Sequence, residues 1–239
     1  MVDRELNYGR EIVRDFVAEL EVRTAVDLGP GLGEDLASIR SQHPAARLVG
    51  LEAHPPYAAA LRERGFEVVA ANLERDRLPF EDQSVDLIIA NQLFEHIKEV
   101  FWVLHECSRV LRVGGHLVIG TPNIAAVHNR LLLLIGRQPT QLKNWSAHVR
   151  GYTKSDLIEL VDLPNPGGFV VTASAGSNFY PLPAALARPA ARIWAGGAWG
   201  LFLRFEKRRA YDGGYLRWPG QLALETNFYL GPGSERPTA

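Results

Sequence analysis

A glycine-rich turn and the carboxylate that follows it are the residues of this sequence that most clearly indicate ligand chemistry. Asp27 lies near the end of a short apolar run, and glycines follow at positions 29, 31 and 33. Glycines at such a turn let a ligand contact the backbone where a Cβ would intrude. Glu52 ends the next apolar run, where a carboxylate can accept hydrogen bonds from both hydroxyls of a ribose. The pattern favours nucleoside binding, although the turn alone could be a tight strand–helix junction.

The spacing of the glycines separates two classes of nucleoside. A dinucleotide turn needs G-x-G-x-x-G so that a pyrophosphate can lie on the helix terminus, and Gly33 is not spaced for this. Asp27 would repel a pyrophosphate and favour a cation, and residues 1–120 contain 20 acidic but only 13 basic side chains. S-adenosylmethionine (SAM) carries an ammonium, a sulfonium and a ribose, and no phosphate. SAM therefore fits this half of the chain better than the coenzyme of an NAD-dependent oxidoreductase does.

Apolar runs alternate with amphipathic segments along most of the chain. This alternation predicts a doubly wound α/β fold with a mostly parallel sheet. We predict helices at 3–20, 34–41, 55–64, 99–111 and 155–161, and strands at 24–28, 47–51, 66–71, 85–90, 116–120, 169–175, 201–205 and 226–230. One domain is expected over 1–239, made of a core (1–122), an insertion (123–154), a C-terminal part (155–230) with an irregular cover segment (176–200), and a tail (231–239).

Four stretches carry a family resemblance. They are 26–33 (VDLGPGLG), 49–52 (VGLE), 78–88 (LPFEDQSVDLI), and 93–97 (LFEHI) leading to 111–119 (LRVGGHLVI). Together they make the chain resemble the class I SAM-dependent methyltransferases, in particular the small-molecule group with the type 11 and quinone-biosynthesis methyltransferases. The resemblance covers roughly residues 24–123 and implies a seven-stranded Rossmann-like sheet with an acceptor-side insertion.

The resemblance also implies roles for cofactor-binding residues. It places Asp27, Gly29, Pro30 and Gly31 at the methionine end of SAM, Glu52 at the ribose, Ala53, Asn72 and Leu73 at the adenine, and Asn91 and Gln92 near the sulfonium. The family usually has an acidic residue where this chain has Asn72. An asparagine can still accept the hydrogen bond of the adenine amino group through its amide oxygen.

Residues 123–154 resemble the acceptor-side cover of similar methyltransferases. We predict His148, or else His96, as the general base and Arg150, Tyr152 and Trp145 as acceptor-binding residues. Structural roles are the alternatives: His96 could cap or pack under the following helix, Arg150 could pair with a helix acid, and the two aromatic residues could belong to the core. No cluster of metal ligands stands out in the sequence, so the transfer is expected to be independent of metal.

The expected function is methyl transfer from SAM to an oxygen, less favourably a nitrogen, of a small anionic or aromatic acceptor, with S-adenosylhomocysteine as product. Alternatives are a SAM-binding protein without turnover, and a lipid- or quinone-type methyltransferase at a membrane surface, where residues 182–205 could lie. Residues 121–205 contain 8 basic and 3 acidic side chains, which is no wholesale basic patch for nucleic acid. A single cysteine, Cys107, suits the reducing cytoplasm.

Overall fold

A seven-stranded sheet with helices on both faces forms the protein, described by a computed structural model over residues 5–224 and 228–233. The strands are β1 (Thr24–Leu28), β2 (Arg47–Leu51), β3 (Glu67–Val69), β4 (Val85–Asn91), β5 (Leu111–Pro122), β6 (Phe169–Ser177) and β7 (Gly200–Lys207). The helices are α1 (Arg10–Val17), α2 (Glu34–Gln42), α3 (Pro55–Glu63), α4 (Val100–Val110), α5 (Val127–Leu134), α6 (Lys154–Asp162), α7 (Ala184–Ile193) and α8 (Gly214–Gln221). The predicted doubly wound α/β class is confirmed.

The strand order is β3-β2-β1-β4-β5-β7-β6, and β1 to β5 pair in parallel. β7 lies antiparallel between β5 and β6, where Gly200 pairs with both Pro122 and Ser177. The end of β6 and the start of β7 therefore share one edge of the sheet with the carboxyl ends of β1, β2, β4 and β5. We call this edge the cofactor rim, because ligands of open α/β sheets bind outside the carboxyl ends of the strands.

Each face of the sheet is covered by its own set of helices. α1, α2 and α3 pack on one face, where Leu87 and Ile89 of β4 point. α4, α6 and α8 pack on the other face, where Ile88 and Ala90 of the same strand point. A strand buried on both sides shows a continuous apolar run, which is the pattern that identified β4 in the sequence.

Two predicted elements differ clearly from the structure. The predicted helix 3–20 is an α-helix only as α1, while Glu5–Tyr8 form a short 3₁₀ helix and residues 3 and 4 lie outside the described residues. Gly9 separates the two helices with a left-handed conformation of φ 53°, which interrupts an α-helix. The predicted strand 226–230 is wrong for Phe228–Leu230, while 226 and 227 lie outside the described residues. Phe228 instead packs edge-on against Phe101 of α4, with ring centroids 5.0 Å apart. The segment covers a helix and adds no strand, so the sheet has seven strands.

Helices α5, α7 and α8 were not predicted. α7 occupies part of the segment predicted as irregular, with Pro189 inside the helix, and α8 contains Pro219. Prolines are typical of helix ends and loops, so both segments carried misleading local signals. Of the predicted tail 231–239, residues 234–239 lie outside the described residues. Within 5–224 and 228–233, every helix is too short or too polar to traverse a bilayer.

A buried charge network ties the stretch 78–82 to α4. The Arg109 guanidinium donates to both carboxylate oxygens of Glu106 (2.8 and 2.7 Å), to the carbonyls of Leu78 and Phe80, and to Asp82 (2.8 Å). Glu106 also accepts from the Leu78 amide at 2.6 Å. The network fixes the connection between β3 and β4.

Lys207 is fully buried at the end of β7, where its ammonium donates to the carbonyls of Ser108 and Leu111, both at 2.6 Å. These carbonyls belong to the C-terminal end of α4, where a cation complements the helix dipole. Loss of hydration nevertheless lowers the pKa of Lys207 to about 8. The buried ammonium is therefore satisfied by hydrogen bonds but costs desolvation free energy.

Lys207 is expected to make the free energy of unfolding rise with pH. Its pKa is about 8 when folded, and about 10.4 in an unfolded chain. Between these values the unfolded chain binds more protons, so raising the pH stabilises the fold. From about pH 7.5 to 9.5 the native protein should gain on the order of 2 kcal/mol relative to Lys207→Met in urea unfolding. Lys154→Met, which changes an exposed lysine, should show the same rise of the unfolding free energy with pH as the native protein. If the unfolding free energy of Lys207→Met rose with pH as steeply as that of the native protein, the expectation would be wrong.

Candidate functional site

The turn after β1 forms an open cradle at the cofactor rim. Gly29, Gly31 and Gly33 have φ values of 68°, 56° and 79°, which residues with a Cβ rarely adopt. A Cβ at Gly31 would meet no atom of the described residues within 4 Å, whereas one at Gly33 would collide with Leu61. Gly33 therefore allows the turn to pack on α3, and Gly31 presents bare backbone toward solvent.

Glu52 lies beside this cradle at the end of β2. One carboxylate oxygen accepts from the Gly31 amide at 3.1 Å, and the other accepts from the His54 amide at 2.8 Å. These bonds orient the carboxylate, and each oxygen keeps a second lone pair. Glu52 can therefore accept hydrogen bonds from two neighbouring hydroxyls, as the sequence predicted for a ribose.

Three carboxyl groups gather behind the cradle. Burial raises the pKa of Asp27 well above its ordinary value, and the nearby carboxyls of Asp35 and Glu52 raise it further. Burial likewise raises the pKa of Asp35. Asp27 Oδ2 and Asp35 Oδ1 are buried and have no hydrogen-bond partner among the described residues. A cationic ligand would relieve both the repulsion and the missing contacts.

Asn91 and Gln92 complete this side of the rim at the end of β4. Asn91 Nδ2 donates to the Tyr8 carbonyl and to Asp35, both at 2.9 Å. Its Oδ1 and the Gln92 Nε2 are buried without a partner in the part of the chain that the structure describes. Asp27 of β1, and Asn91 and Gln92 at the end of β4, lie at the same end of the sheet as the glycine turn, and Asp35 is joined to Asn91. This set of residues fits SAM, a cation with a ribose and several hydrogen-bonding groups.

The residues predicted for the adenine lie further along the same rim. Ala53 and Asn72 are exposed, and Leu73 is half-buried against the core. Asn72 Oδ1 accepts from the Glu74 amide at 3.0 Å, which leaves one lone pair for another donor. The position and the free lone pair are compatible with the predicted contact, which stays a prediction.

The insertion is tied to the turn that follows β4. Its base is closed by a bridge between Asn123 and Tyr152. The amides of Val149 and Arg150 both donate to the Glu95 carbonyl, at 2.8 and 3.1 Å. This pairing brings residues 95–98 and 147–150 together although about fifty residues separate them in the chain.

Glu95, His96 and His148 form a cluster at this junction. The two imidazole centroids lie 4.7 Å apart, and one potential ligand atom from each of the three side chains lies within 4.8 Å of the others. Glu95 Oε2 accepts from the Thr121 hydroxyl at 3.2 Å, and burial raises the pKa of Glu95 to about 7. Burial lowers the pKa of His148, and the nearby His96 lowers it further. The structure thus brings together the two histidines predicted as candidate bases.

Sequence reasoning missed Glu95 and Asp35 as site residues. Glu95 stands within the recognised stretch 93–97, but its burial depends on Thr121 and on the insertion, which are distant in sequence. Asp35 lies in the first turn of α2 like an ordinary helix-start acid. The only sequence signal for either was its nearness to a recognised stretch.

The three predicted acceptor-binding residues differ in placement. Arg150 Nε and one terminal nitrogen donate to the carbonyls of Ile97 (3.0 Å) and Lys98 (2.8 Å), so only the remaining N–H groups of the two terminal nitrogens are left for an acceptor. Tyr152 is only 5% exposed and its hydroxyl donates to the Phe94 carbonyl at 3.4 Å. Trp145 is 85% exposed on the outer surface of the insertion. The structure does not bring these three side chains together.

Comparison with known proteins relates this part of the chain to SAM-dependent methyltransferases. Residues 26–119 match the family model of a methyltransferase domain. The chain is 32% identical over 148 residues to the "probable S-adenosylmethionine-dependent methyltransferase" of Mycolicibacterium smegmatis, which covers 62% of this chain and 51% of that protein. It is 28% identical over 128 residues to the demethylmenaquinone methyltransferase of Thermus thermophilus, which covers 50% of this chain and 58% of that protein. The chain thus spans little more than half the length of these relatives.

Solved structures extend the likeness beyond the matched region. A SAM-dependent methyltransferase from Thermotoga maritima superposes with a TM-score of 0.60 at 20% identity, over 85% of this chain and 91% of that one. At this identity the likeness concerns the fold. The glycine turn, Glu52 and the end of β4 lie within the part of the chain that the family model covers.

Proposed function

Residues 26–119 belong to the class I SAM-dependent methyltransferases, and from this premise we propose that the protein transfers a methyl group from SAM to an oxygen of a small organic acceptor. The observation that carries the proposal is the set of buried, unpartnered polar atoms of Asp27, Asp35, Asn91 and Gln92 at the end of the sheet where the open Gly31 backbone lies. Buried polar atoms without partners require an explanation, and a bound polar cation supplies one.

The residues of the rim have separate tasks in this proposal. When bound, SAM supplies a methyl carbon that its sulfonium makes electrophilic. Glu52 holds the ribose hydroxyls, and Asp27 with Asp35 offsets the positive charge. Asn91 and Gln92 orient the end of the cofactor that carries the methyl group. Placing the two reactants correctly can supply about 7–11 kcal/mol of the barrier reduction at best, so positioning is the main contribution of the protein.

An anionic or polar-aromatic acceptor agrees with the charge on the acceptor side. The run from Cys107 to Ser155, which includes the whole insertion, contains no aspartate or glutamate. A hydroxyl acceptor must lose its proton, and His148 is the candidate base because its Nδ1 is buried without a partner in the described part of the chain. His96, on the exposed side of the same cluster, is the second candidate.

A lipid-like acceptor at a membrane surface is a second candidate, favoured by the outer face of α5. Leu131, Leu134 and Ile135 are 59%, 82% and 67% exposed, and Arg130 and Arg137 flank them. Exposed apolar side chains beside cations are typical of helices that lie on anionic membranes. Flotation with vesicles that contain anionic lipid, compared with neutral vesicles, tests this candidate.

The function is tested by SAM binding and by turnover in the same preparation. Calorimetry should show one SAM per chain, and labelled SAM offered with a cell extract should give a methylated small molecule. SAM binding without any labelled product would favour a binding protein without turnover. Absence of SAM binding would overturn the proposal.

The affinity for SAM is expected to rise with pH because of Asp27. The raised pKa of Asp27 means that the free protein holds a proton there above the ordinary carboxyl range. A cationic ligand favours the carboxylate, so binding releases that proton and strengthens as the pH rises through the raised pKa. S-adenosylhomocysteine lacks the sulfonium, so its affinity should rise less steeply with pH than that of SAM. Calorimetry from about pH 5 to 8 measures both slopes.

Asp27→Asn removes one of the two carboxyls with a raised pKa and should reduce the pH dependence of SAM binding. Glu21→Gln is a matched control on the chain segment that precedes β1 and should keep the native slope. A native protein whose SAM affinity does not change over the same pH range would contradict the assignment.

A further inference from the structure

We propose that Glu95, His96 and His148 bind a divalent transition-metal ion at the acceptor side of the cofactor rim. The cluster offers one carboxylate oxygen and two imidazole nitrogens within 4.8 Å of one another. Binding of the ion stands on this cluster alone, whereas its consequence for catalysis rests on the proposed function. The proposal replaces the metal-independent transfer expected from the sequence.

One ring nitrogen of each imidazole is available to a metal ion. His148 Nδ1 is buried and has no hydrogen-bond partner within the described ranges, so its lone pair can bind an ion when Nε2 carries the hydrogen. His96 Nδ1 lies 3.2 Å from the Ala147 carbonyl, which can only accept, so Nδ1 carries the hydrogen and Nε2 is free to bind. Metal-binding histidines characteristically donate their second nitrogen to a backbone carbonyl in this way.

The carboxylate of Glu95 is oriented in the same manner. Glu95 is 2% exposed, and Thr121 donates to its Oε2 at 3.2 Å. Its Oε1 is buried and unpartnered in the regions that the structure describes. A buried carboxylate oxygen without a donor is costly, and a bound ion would satisfy it.

The relation between Glu95 and His148 favours a metal over a proton relay. A carboxylate that orients a general-base histidine accepts the N–H of that ring. Here Glu95 Oε1 and His148 Nδ1 are both without a hydrogen-bond partner, so this bond is not formed between them. Glu95 Oε1 and His148 Nδ1 both offer lone pairs and no hydrogen, and a bound cation could satisfy both of them.

The ligand set suits zinc, cobalt or ferrous iron. Bonds of about 2.0–2.2 Å place adjacent ligand atoms roughly 3 Å apart, so the cluster must contract by about 1–2 Å. His96 is exposed, and rotation of its ring can supply much of this movement. Two histidines and one carboxylate on one side of an ion leave its other positions open to further ligands.

The open positions would accept an oxygen of the acceptor. The O–H bond of the acceptor breaks and its proton goes to solvent, because a bound divalent ion lowers the pKa of a coordinated hydroxyl. The oxygen then forms the bond to the methyl carbon, and the carbon–sulfur bond breaks with its electron pair on sulfur. His148 Nδ1 is a ligand in this scheme, so it does not also act as the base.

Cobalt titration of the full chain tests the site. The protein is first dialysed against a chelator, and Co²⁺ binding is then followed by calorimetry and by the visible absorption of the ion. We expect one Co²⁺ per chain with absorption typical of nitrogen and oxygen ligands. His148→Ala, His96→Ala and Glu95→Gln should each weaken binding by at least about 10–100-fold. His128→Ala, a histidine elsewhere in the insertion that contacts Thr140, should bind as the native chain does.

Three results would overturn the site. They are the lack of saturable Co²⁺ binding by the native chain, unchanged binding in both His96→Ala and His148→Ala, and an equal loss in His128→Ala. His96 is exposed, so its variant is expected to fold even where Glu95→Gln does not. SAM titration of the same samples separates the two proposals. A chain that binds SAM but no Co²⁺ refutes the metal site alone, and one that binds Co²⁺ but no SAM refutes the methyl transfer alone.

Discussion

Glu52→Ala is expected to lower the affinity for SAM by about 100-fold or more, because it removes both acceptors for the ribose hydroxyls. Hydrogen bonds to a charged group contribute about 1.5–3 kcal/mol each, and two of them account for this loss. The carboxylate also holds the amides of Gly31 and His54, so its removal loosens the cradle itself. Glu52→Gln keeps one acceptor oxygen and should fall between the native chain and Glu52→Ala. Calorimetry with SAM measures all three.

Glu63→Ala is the matched control, since Glu63 is an exposed glutamate at the end of the neighbouring α3. It should bind SAM with native affinity. Thermal unfolding of each variant without ligand separates a lost contact from a lost fold. Native affinity in a folded Glu52→Ala variant would show that the ribose is held elsewhere, and the assignment of the rim would then be wrong.

Glu106→Ala is expected to lower the free energy of unfolding by about 3–5 kcal/mol, the usual cost of removing one partner of a buried ion pair. Arg109 would lose both carboxylate contacts while its guanidinium stays buried, and the Leu78 amide would lose its acceptor. Urea unfolding monitored by tryptophan fluorescence measures the change. Glu159→Ala, an exposed glutamate on α6, should change the unfolding free energy by less than about 0.5 kcal/mol.

The double change Glu106→Leu with Arg109→Met should restore a large part of the loss. Replacing a buried pair by apolar residues of similar size is often neutral, because no uncompensated charge remains. A double variant as unstable as Glu106→Ala would show that the contacts of Arg109 to Leu78, Phe80 and Asp82 matter more than the pair.

The first half of the chain was predictable because its signals are local. β1, β2 and β4 are short apolar runs that end at glycine or polar residues, and the structure places them as predicted within one residue. The predicted nucleoside-binding residues lie at one rim because parallel strands share their carboxyl end. Their individual contacts with SAM stay predictions.

The acceptor side was less predictable because it depends on distant contacts. No pattern in the sequence relates Glu95 to His148, which are brought together by hydrogen bonds between residues 95–98 and 147–150, such as those of the Val149 and Arg150 amides to the Glu95 carbonyl. Tyr152 is an aromatic residue with a hydroxyl group, as many binding residues are, but its side chain is buried in the hydrophobic core. The helical conformation of α7 is determined by packing on β6, against the local signal of Pro189.

The reversed direction of β7 has a consequence for how proteins of this kind diversify. Because β6 ends and β7 begins at the rim where β5 also ends, the chain makes two excursions there, over 123–153 and 178–199, without interrupting a strand. Either excursion can become longer or shorter, or be exchanged by recombination, without any change in the upstream glycine turn or in Glu52. The family match stops at residue 119, just before the first excursion leaves the sheet. Under the proposed function, new acceptor preferences are therefore expected to arise in these two excursions and not in residues 26–119.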